Sequence, residues 1–488
     1  MAPPHTERTV VDAVPKDLFI AGRWVEAASE RRFPVDDPST DRALCEVADA
    51  GADDGLAALA AATAAQQAWA RHPPRERGEI LRRAWQSITD RADDLALLIT
   101  LEMGKPLAES KAEVAYGAEF LRWFSEEAVR IDGGYGVAPN GQGRLVTLRQ
   151  PVGPCLLVTP WNFPLAMGTR KIGPAVAAGC TMVVKPAEQT PLTMLALGAI
   201  LDEAGLPPGV CNVVPTSAPE AVVGPLLADR RLRKLSFTGS TETGRLLMAQ
   251  AAPNVLRVTL ELGGNAAFVV FDDADLDLAL EGAIAAKMRN VGEACTAANR
   301  FLVAGAVADE FAVRLAQRMA SLTVGRGTDA GVDVGPLIDS FQRAKVVDLV
   351  DDAVRGGARV LTGGRPPDGP GSYYPPTVLT DVPRGARMLY EEIFGPVAPV
   401  VPFSAEDEAI ATANDTEYGL VGYVFTRDLD RAIRVAERLE TGMVGINQGV
   451  VSNPAAPLGG VKHSGFGREG GHEGTLAYLD TKYVAIRT

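Results

Sequence analysis

Four residues of this 488-residue chain combine the right type and context for covalent chemistry. Cys295 follows the helical run ALEGAIAAKMRNVGEA and precedes the strand-like TAANRFLV, so it falls at a helix-to-strand junction. Cys155, Cys180 and Cys211 each adjoin a buried-strand pattern and Cys45 lies in an extended segment, the usual settings of a small core residue. Glu261, in TLELGGN, ends an apolar strand just before two glycines. A carboxylate there is partly desolvated, which raises its pKa towards the range of a general base, although capping a strand end is the plainer alternative. Asn162, in TPWNFP, follows a strand where an amide N–H can face a developing oxyanion; the alternative is a turn asparagine between Trp161 and Pro164. Lys185 ends the next strand in VVKPAE, and Glu188 follows three residues later. Packing alone rarely puts a lysine at the mouth of an apolar strand.

Composition narrows the chemistry. The four histidines are His5, His72, His463 and His472, so a zinc helix of the HExxH type cannot be written, and for covalent chemistry in mid-chain a carboxylate is the expected base. Five widely spaced cysteines without CxxC argue against a disulfide framework or a cysteine-rich metal site; no metal is expected. With 48 basic and 61 acidic residues the net charge is −13, which disfavours nucleic acid as a partner. No apolar run approaches the ~18–20 residues of a membrane span, and the N-terminus has no signal-like stretch, so a soluble cytoplasmic protein without a membrane partner is expected.

The elements that must position these residues read as α/β. Residues 53–131 are helical, with an apolar stripe that includes Leu95, Leu98, Ile99 and Glu102. The Gly-rich 133–150 segment alternates like a hairpin. From Cys155, short apolar strands (CLLVTP, TMVVKP, CNVVP, KLSFTG) alternate with helices, the pattern of a right-handed parallel sheet that binds ligands beyond its strand ends. The last strand runs into Gly239-Ser240-Thr241-Glu242-Thr243-Gly244, where Ser240 is a good N-cap and the helix start favours a pyrophosphate. A second α/β texture begins near Arg257, with a helix from Asp275 towards Gly292.

These pieces resemble the aldehyde dehydrogenase superfamily over essentially the whole chain. TPWNFP, VVKPAEQTP, SFTGSTETGR, LELGGN, GEACTAANR, EEIFGPV and GGVKHSGFGRE occur in the family's order, with 34 residues between Glu261 and Cys295. The resemblance implies a Rossmann-like cofactor domain (1–132 and 151–260), an α/β catalytic domain (261–455), and a small protruding β oligomerisation element with the C-terminal tail (133–150 and 456–488) that supports a homodimer or homotetramer. It implies that Cys295 attacks an aldehyde to give a thiohemiacetal and then a thioester. Asn162 and the Cys295 N–H hold the oxyanion, and Glu261 activates the hydrolytic water. For the cofactor it implies Lys185 on the adenosine ribose, Ser240 on the pyrophosphate, Glu392 on the nicotinamide ribose and Phe394 beside the nicotinamide, with Trp161 and Gly239 lining the same cleft. GSTETG carries only the first and last glycines of a GxGxxG fingerprint. Glu188 near the adenosine 2′-hydroxyl repels a 2′-phosphate, so NAD is expected over NADP, with NADP still possible.

Arg170, eight residues after Asn162, and Arg289, six before Cys295, suit a substrate with a distal carboxylate; the alternative is an ordinary ion pair, for example with Glu293 or Glu281. RNxGxxC and NFPxxMxTRK resemble the succinate-semialdehyde dehydrogenases, which implies that both arginines and Ser452, in GVVSNPAAPLGG, bind that carboxylate. Glutarate semialdehyde, one methylene longer, is a close competitor, since a methylene gives only ~1–3 kcal/mol of discrimination. A broad-range or CoA-acylating dehydrogenase and a catalytically silent NAD-binding protein are the remaining readings; the arginine pair, Glu261 and the retained Cys295 speak against them. Some members of the subgroup carry a second cysteine two residues after the nucleophile; here that position is Ala297, so a disulfide switch is not expected.

Overall fold

The structure is a computed structural model and describes residues 6–487; His5 lies outside that range. The fold is α/β, built on two mainly parallel sheets and a separate antiparallel one. Five parallel strands form the centre of the first sheet, in the order Cys211–Val213, Met182–Lys185, Cys155–Val158, Lys234–Thr238, Arg257–Glu261. Their runs are apolar and almost wholly buried because helices cover both faces. Chain order runs outward from Cys155–Val158 in one direction and then restarts on its other side with Lys234–Thr238. That reversal leaves a crevice at the carboxyl ends of those two strands, where Trp161-Asn162 and Gly239-Ser240 emerge.

The second sheet has seven strands in the order Arg359–Thr362, Thr377–Thr380, Val397–Phe403, Ala298–Ala304, Ala266–Val270, Val421–Phe425, Met443–Ile446, all parallel except the first pair. The protruding sheet pairs Gly134–Val137 with Arg144–Pro151 and that strand with Leu479–Ile486, all antiparallel. Among the described residues, no helix is long and apolar enough to cross a membrane.

Three sequence expectations need correction. The strand Arg257–Glu261 does not open the second sheet: it pairs in register with Lys234–Thr238, and the second sheet starts at Ala266. An apolar run reports burial on two faces but not which neighbour it pairs with. The helix from Asp275 ends at Met288, because Asn290 and Val291 take left-handed backbone (φ 55° and 58°). The tail after 456 is divided: Gly465–Phe466 adds an antiparallel edge to the first sheet beside Leu260 and Glu261, and only Leu479–Ile486 joins the protruding sheet.

Two buried glutamates fix the helices that flank the crevice. The helices Pro164–Ala178 and Pro191–Glu203 start with proline and have no side-chain N-cap of their own. Glu113 accepts from the amides of Leu165 and Ala166 at 3.0 and 3.2 Å, and Glu102 from those of Leu192 and Thr193 at 2.8 and 2.9 Å. Glu102 therefore occupies the apolar stripe of its helix as a remote cap. Burial pushes its carboxyl up to about 7 against those hydrogen bonds. Glu102→Ala leaves two buried donors without partners and is expected to lower stability by about 2 kcal/mol or more, read as an earlier denaturant midpoint; an unchanged midpoint contradicts the capping role.

Candidate active site

The crevice opens into two connected cavities that share Pro160, Trp161, Thr238, Gly239 and Ser240. The outer one is also lined by Lys185, Glu188 and Gln189. Ser240 caps the helix Thr241–Ala251, its hydroxyl accepting from the Thr243 amide at 3.2 Å, so the first amides of that helix face the cavity rim. A Cβ on Gly239 would sit 2.4 Å from the Phe237 ring, which explains the glycine. Lys185 pairs with Glu188 at 3.0 Å. The buried Gln189 Oε1 and Thr238 Oγ1 have no protein partner. Open helix amides, a lysine–glutamate pair and two orphaned oxygens along one cleft fit an adenine dinucleotide.

The inner cavity holds Cys295, Asn162, Arg170, Arg289, Glu392, Phe394 and Ser452 together on its walls. Cys295 lies on the loop between the left-handed kink and the strand Ala298–Ala304. Two glycines after Glu261 admit that loop: a Cβ on Gly264 would stand 2.4 Å from the Cys295 carbonyl oxygen, and one on Gly263 2.8 Å from Glu392. Glu392 accepts from the Gly264 amide at 3.0 Å, which links the expected ribose-binding carboxylate to the thiol loop. Phe394, itself left-handed (φ 53°), meets Trp161 edge-on at 5.3 Å, and Gln342 donates to its carbonyl at 2.6 Å.

A buried clamp sets Asn162. Its backbone carbonyl accepts from Lys105 Nζ at 2.7 Å and from Asn290 Nδ2 at 3.0 Å. Its side-chain Nδ2 donates to the Glu293 carbonyl at 2.9 Å, which Asn290 Nδ2 also reaches at 2.9 Å. Lys105 in turn pairs with Glu113, and Glu109 accepts from the Asn290 amide at 2.7 Å. The amide side chain is thereby held two residues from the thiol, with a second N–H left over for a ligand.

Glu261 does not line the inner cavity. It is buried behind the wall, its Oε1 without a hydrogen-bond partner, in a field set by Glu469, Arg170 and Lys171. Burial first, and then the neighbouring Glu469, push its carboxyl well above the ordinary range. Glu469 is buried too, but Lys171 and Arg170 keep it ionised. Burial also pushes the Cys295 thiol up to about 11, with Arg170 pulling the other way. The resting site thus holds a protonated thiol and a proton-holding carboxyl.

Arg170 has a carboxylate partner, though neither Glu293 nor Glu281: its Nε lies 2.6 Å from Glu469 Oε2. Arg289 has no ion pair among the described residues; it donates to Ser452 Oγ at 3.3 Å. Sequence reasoning missed Tyr116 and Lys171 in helices, Lys105 and Phe163 on the turns just before helices, and Glu469 in a glycine-rich tail, all of which show their roles only through contacts. Among the described residues, no group of three or more His, Cys, Asp or Glu side chains is placed to hold a metal ion.

Known proteins share this fold. The aldehyde dehydrogenase family model matches residues 24–484. A succinate-semialdehyde dehydrogenase of Paenarthrobacter nicotinovorans is 60% identical, covering 91% of this chain and 98% of its own. A glutarate-semialdehyde dehydrogenase of Pseudomonas aeruginosa is 49% identical over 96% and 97% of the two chains. The crystal structure of an NADP-dependent enzyme of E. coli superposes with a TM-score of 0.96 at 49% identity, covering 98% of this chain and 99% of that one. The chain belongs to the aldehyde dehydrogenase family and is an NAD(P)-dependent enzyme.

Proposed function

We propose that this enzyme oxidises succinate semialdehyde to succinate with NAD, through a thioester on Cys295. The observation that carries the substrate is the inner cavity itself: a thiol and, on the same walls, Arg289, which has no ion pair among the described residues and is bonded to Ser452. An aldehyde with a distal carboxylate satisfies both features at once. Arg170 adds its guanidinium to that wall while its Nε stays with Glu469. Glutarate semialdehyde is the second reading, supported by the Pseudomonas relative.

The Cys295 thiol gives up its proton to solvent, and the thiolate sulfur adds to the aldehyde carbon. The free Nδ2–H of Asn162 and the Cys295 backbone N–H take the oxyanion, a contribution of ~10²–10³ in rate for one donor in comparable sites. Bound NAD supplies the hydride acceptor. Trp161, Gly239, Ser240, Lys185, Glu188, Glu392 and Phe394 hold it along the two cavities. Glu261, which must first release the proton it holds at rest to solvent, then takes a proton from the water that hydrolyses the thioester, its carboxylate reaching towards the cavity from behind the Arg170 wall. Glu188, paired with Lys185 at 3.0 Å, opposes a 2′-phosphate, the ground for NAD over NADP. The exposed Tyr135 and Tyr483 on the protruding sheet support a homodimer or homotetramer, and the unpaired cysteines support a reducing cytoplasm.

Arg289→Ala is expected to raise KM for succinate semialdehyde at least tenfold and to change butanal oxidation far less; equal losses for both contradict the carboxylate site. Glu261→Gln is expected to retain a rapid burst of NADH and lose steady-state turnover, because hydrolysis slows more than hydride transfer; an unchanged steady-state rate removes Glu261 as the base. With the thiol held near 11, alkylation of Cys295 by iodoacetamide in the cofactor-free enzyme should rise about tenfold per pH unit from pH 7 to 9. A rate already level at pH 7 contradicts a protonated resting thiol.

A further inference from the structure

We propose that Tyr116 is a third donor to the substrate carboxylate, its phenol standing beside Arg289 and Ser452 and setting selectivity for charged aldehydes; this rests on the semialdehyde reading above. Tyr116, on the helix Leu107–Glu127, lines the inner cavity with Arg170, Arg289 and Ser452. Its hydroxyl is electrostatically coupled to Ser452 and Arg170 on the same cavity wall. Its ring is fixed edge-on against Phe120 at 5.0 Å.

The charges at this end of the cavity are unequal. Arg170 already faces a buried carboxylate, Glu469, at 2.6 Å, which offsets much of its attraction for a second anion. Arg289 is the uncompensated cation, and its guanidinium carbon lies 5.6 Å from the Tyr116 ring and 5.0 Å from the Phe163 ring. With aromatic rings against it, its N–H edge is what remains for hydrogen bonding. A carboxylate has two oxygens and about four acceptor positions, more than the edge of one guanidinium fills. Ser452 already accepts from Arg289, so its own hydroxyl proton is available, and the Tyr116 hydroxyl supplies a second neutral donor. Burial favours the protonated phenol, so this donor persists at every working pH. A neutral donor adds no further positive charge to the four ionised or ionisable groups already crowded behind the wall.

The test compares native enzyme with Tyr116→Phe, which keeps the ring and both aromatic contacts. The quantity read is the ratio of kcat/KM for succinate semialdehyde to that for butanal, together with the inhibition constant of succinate. The expected result is a native ratio well above one that falls roughly tenfold or more in the variant, mainly through KM, with succinate inhibition weakened alongside. A native enzyme that prefers succinate semialdehyde while the variant keeps both the ratio and the succinate constant overturns the role of Tyr116. A native enzyme with no preference overturns the semialdehyde reading, and this role with it. Butanal oxidation by the variant reports that its fold and thiol are intact.

Discussion

The site depends on one constraint: the backbone that follows the strand Cys155–Val158 must leave the sheet at the reversal of strand order and still be rigid. The Asn162 carbonyl answers that requirement by accepting from Lys105 and Asn290 at once. Lys105 lies between two helices and Asn290 on the approach to the thiol, so one oxygen joins the helical layer to the Cys295 loop. The left-handed turn at Asn290 and Val291 follows from this, since only that path brings the Asn290 side chain to both Asn162 and Glu293. Strain of ~1–3 kcal/mol per residue of this kind is held by the buried hydrogen bonds around it. Glu113, through Lys105 and the helix start at Leu165, closes the same unit.

The electrostatic design is local rather than global. The chain carries a net −13, yet its substrate-facing wall is cationic, and behind it the carboxylates of Glu261 and Glu469 alternate with Arg170 and Lys171. This arrangement keeps Glu469 ionised and Glu261 able to hold a proton, because two adjacent buried carboxylates do not ionise with equal ease. A carboxyl that rests protonated and out of the cavity does not compete for Arg289 with an anion that enters it.

Much of this was legible in the sequence. Strand–helix alternation from Cys155 and the Ser240 cap lay in local patterns, and the structure places them as read. Of the thirteen site residues that the sequence motifs point to, the ten other than Glu261, Lys185 and Glu188 line the inner cavity, while Lys185 and Glu188 line the outer one. The partner of Arg170 was not legible, because Glu469 sits 299 residues later in a glycine-rich tail. Nor was the pairing of Arg257–Glu261, since an apolar strand does not announce its neighbour. Glu102 is the instructive case: an apolar periodicity suggested only a core position, and the structure uses it to cap another helix.

The position of Glu469 has a consequence for how the molecule is made. Arg170 and Lys171 enter the protein at the first third of synthesis and are buried in the finished fold. Their counter-charge is translated about three hundred residues later, together with the edge strand Gly465–Phe466. A cofactor domain emerging from the ribosome therefore cannot seal its interior around these two cations, and vectorial, domain-by-domain folding is interrupted at this point. The side of the sheet that carries Arg170 and Lys171 closes only once the segment bearing Glu469 is available to pair with them.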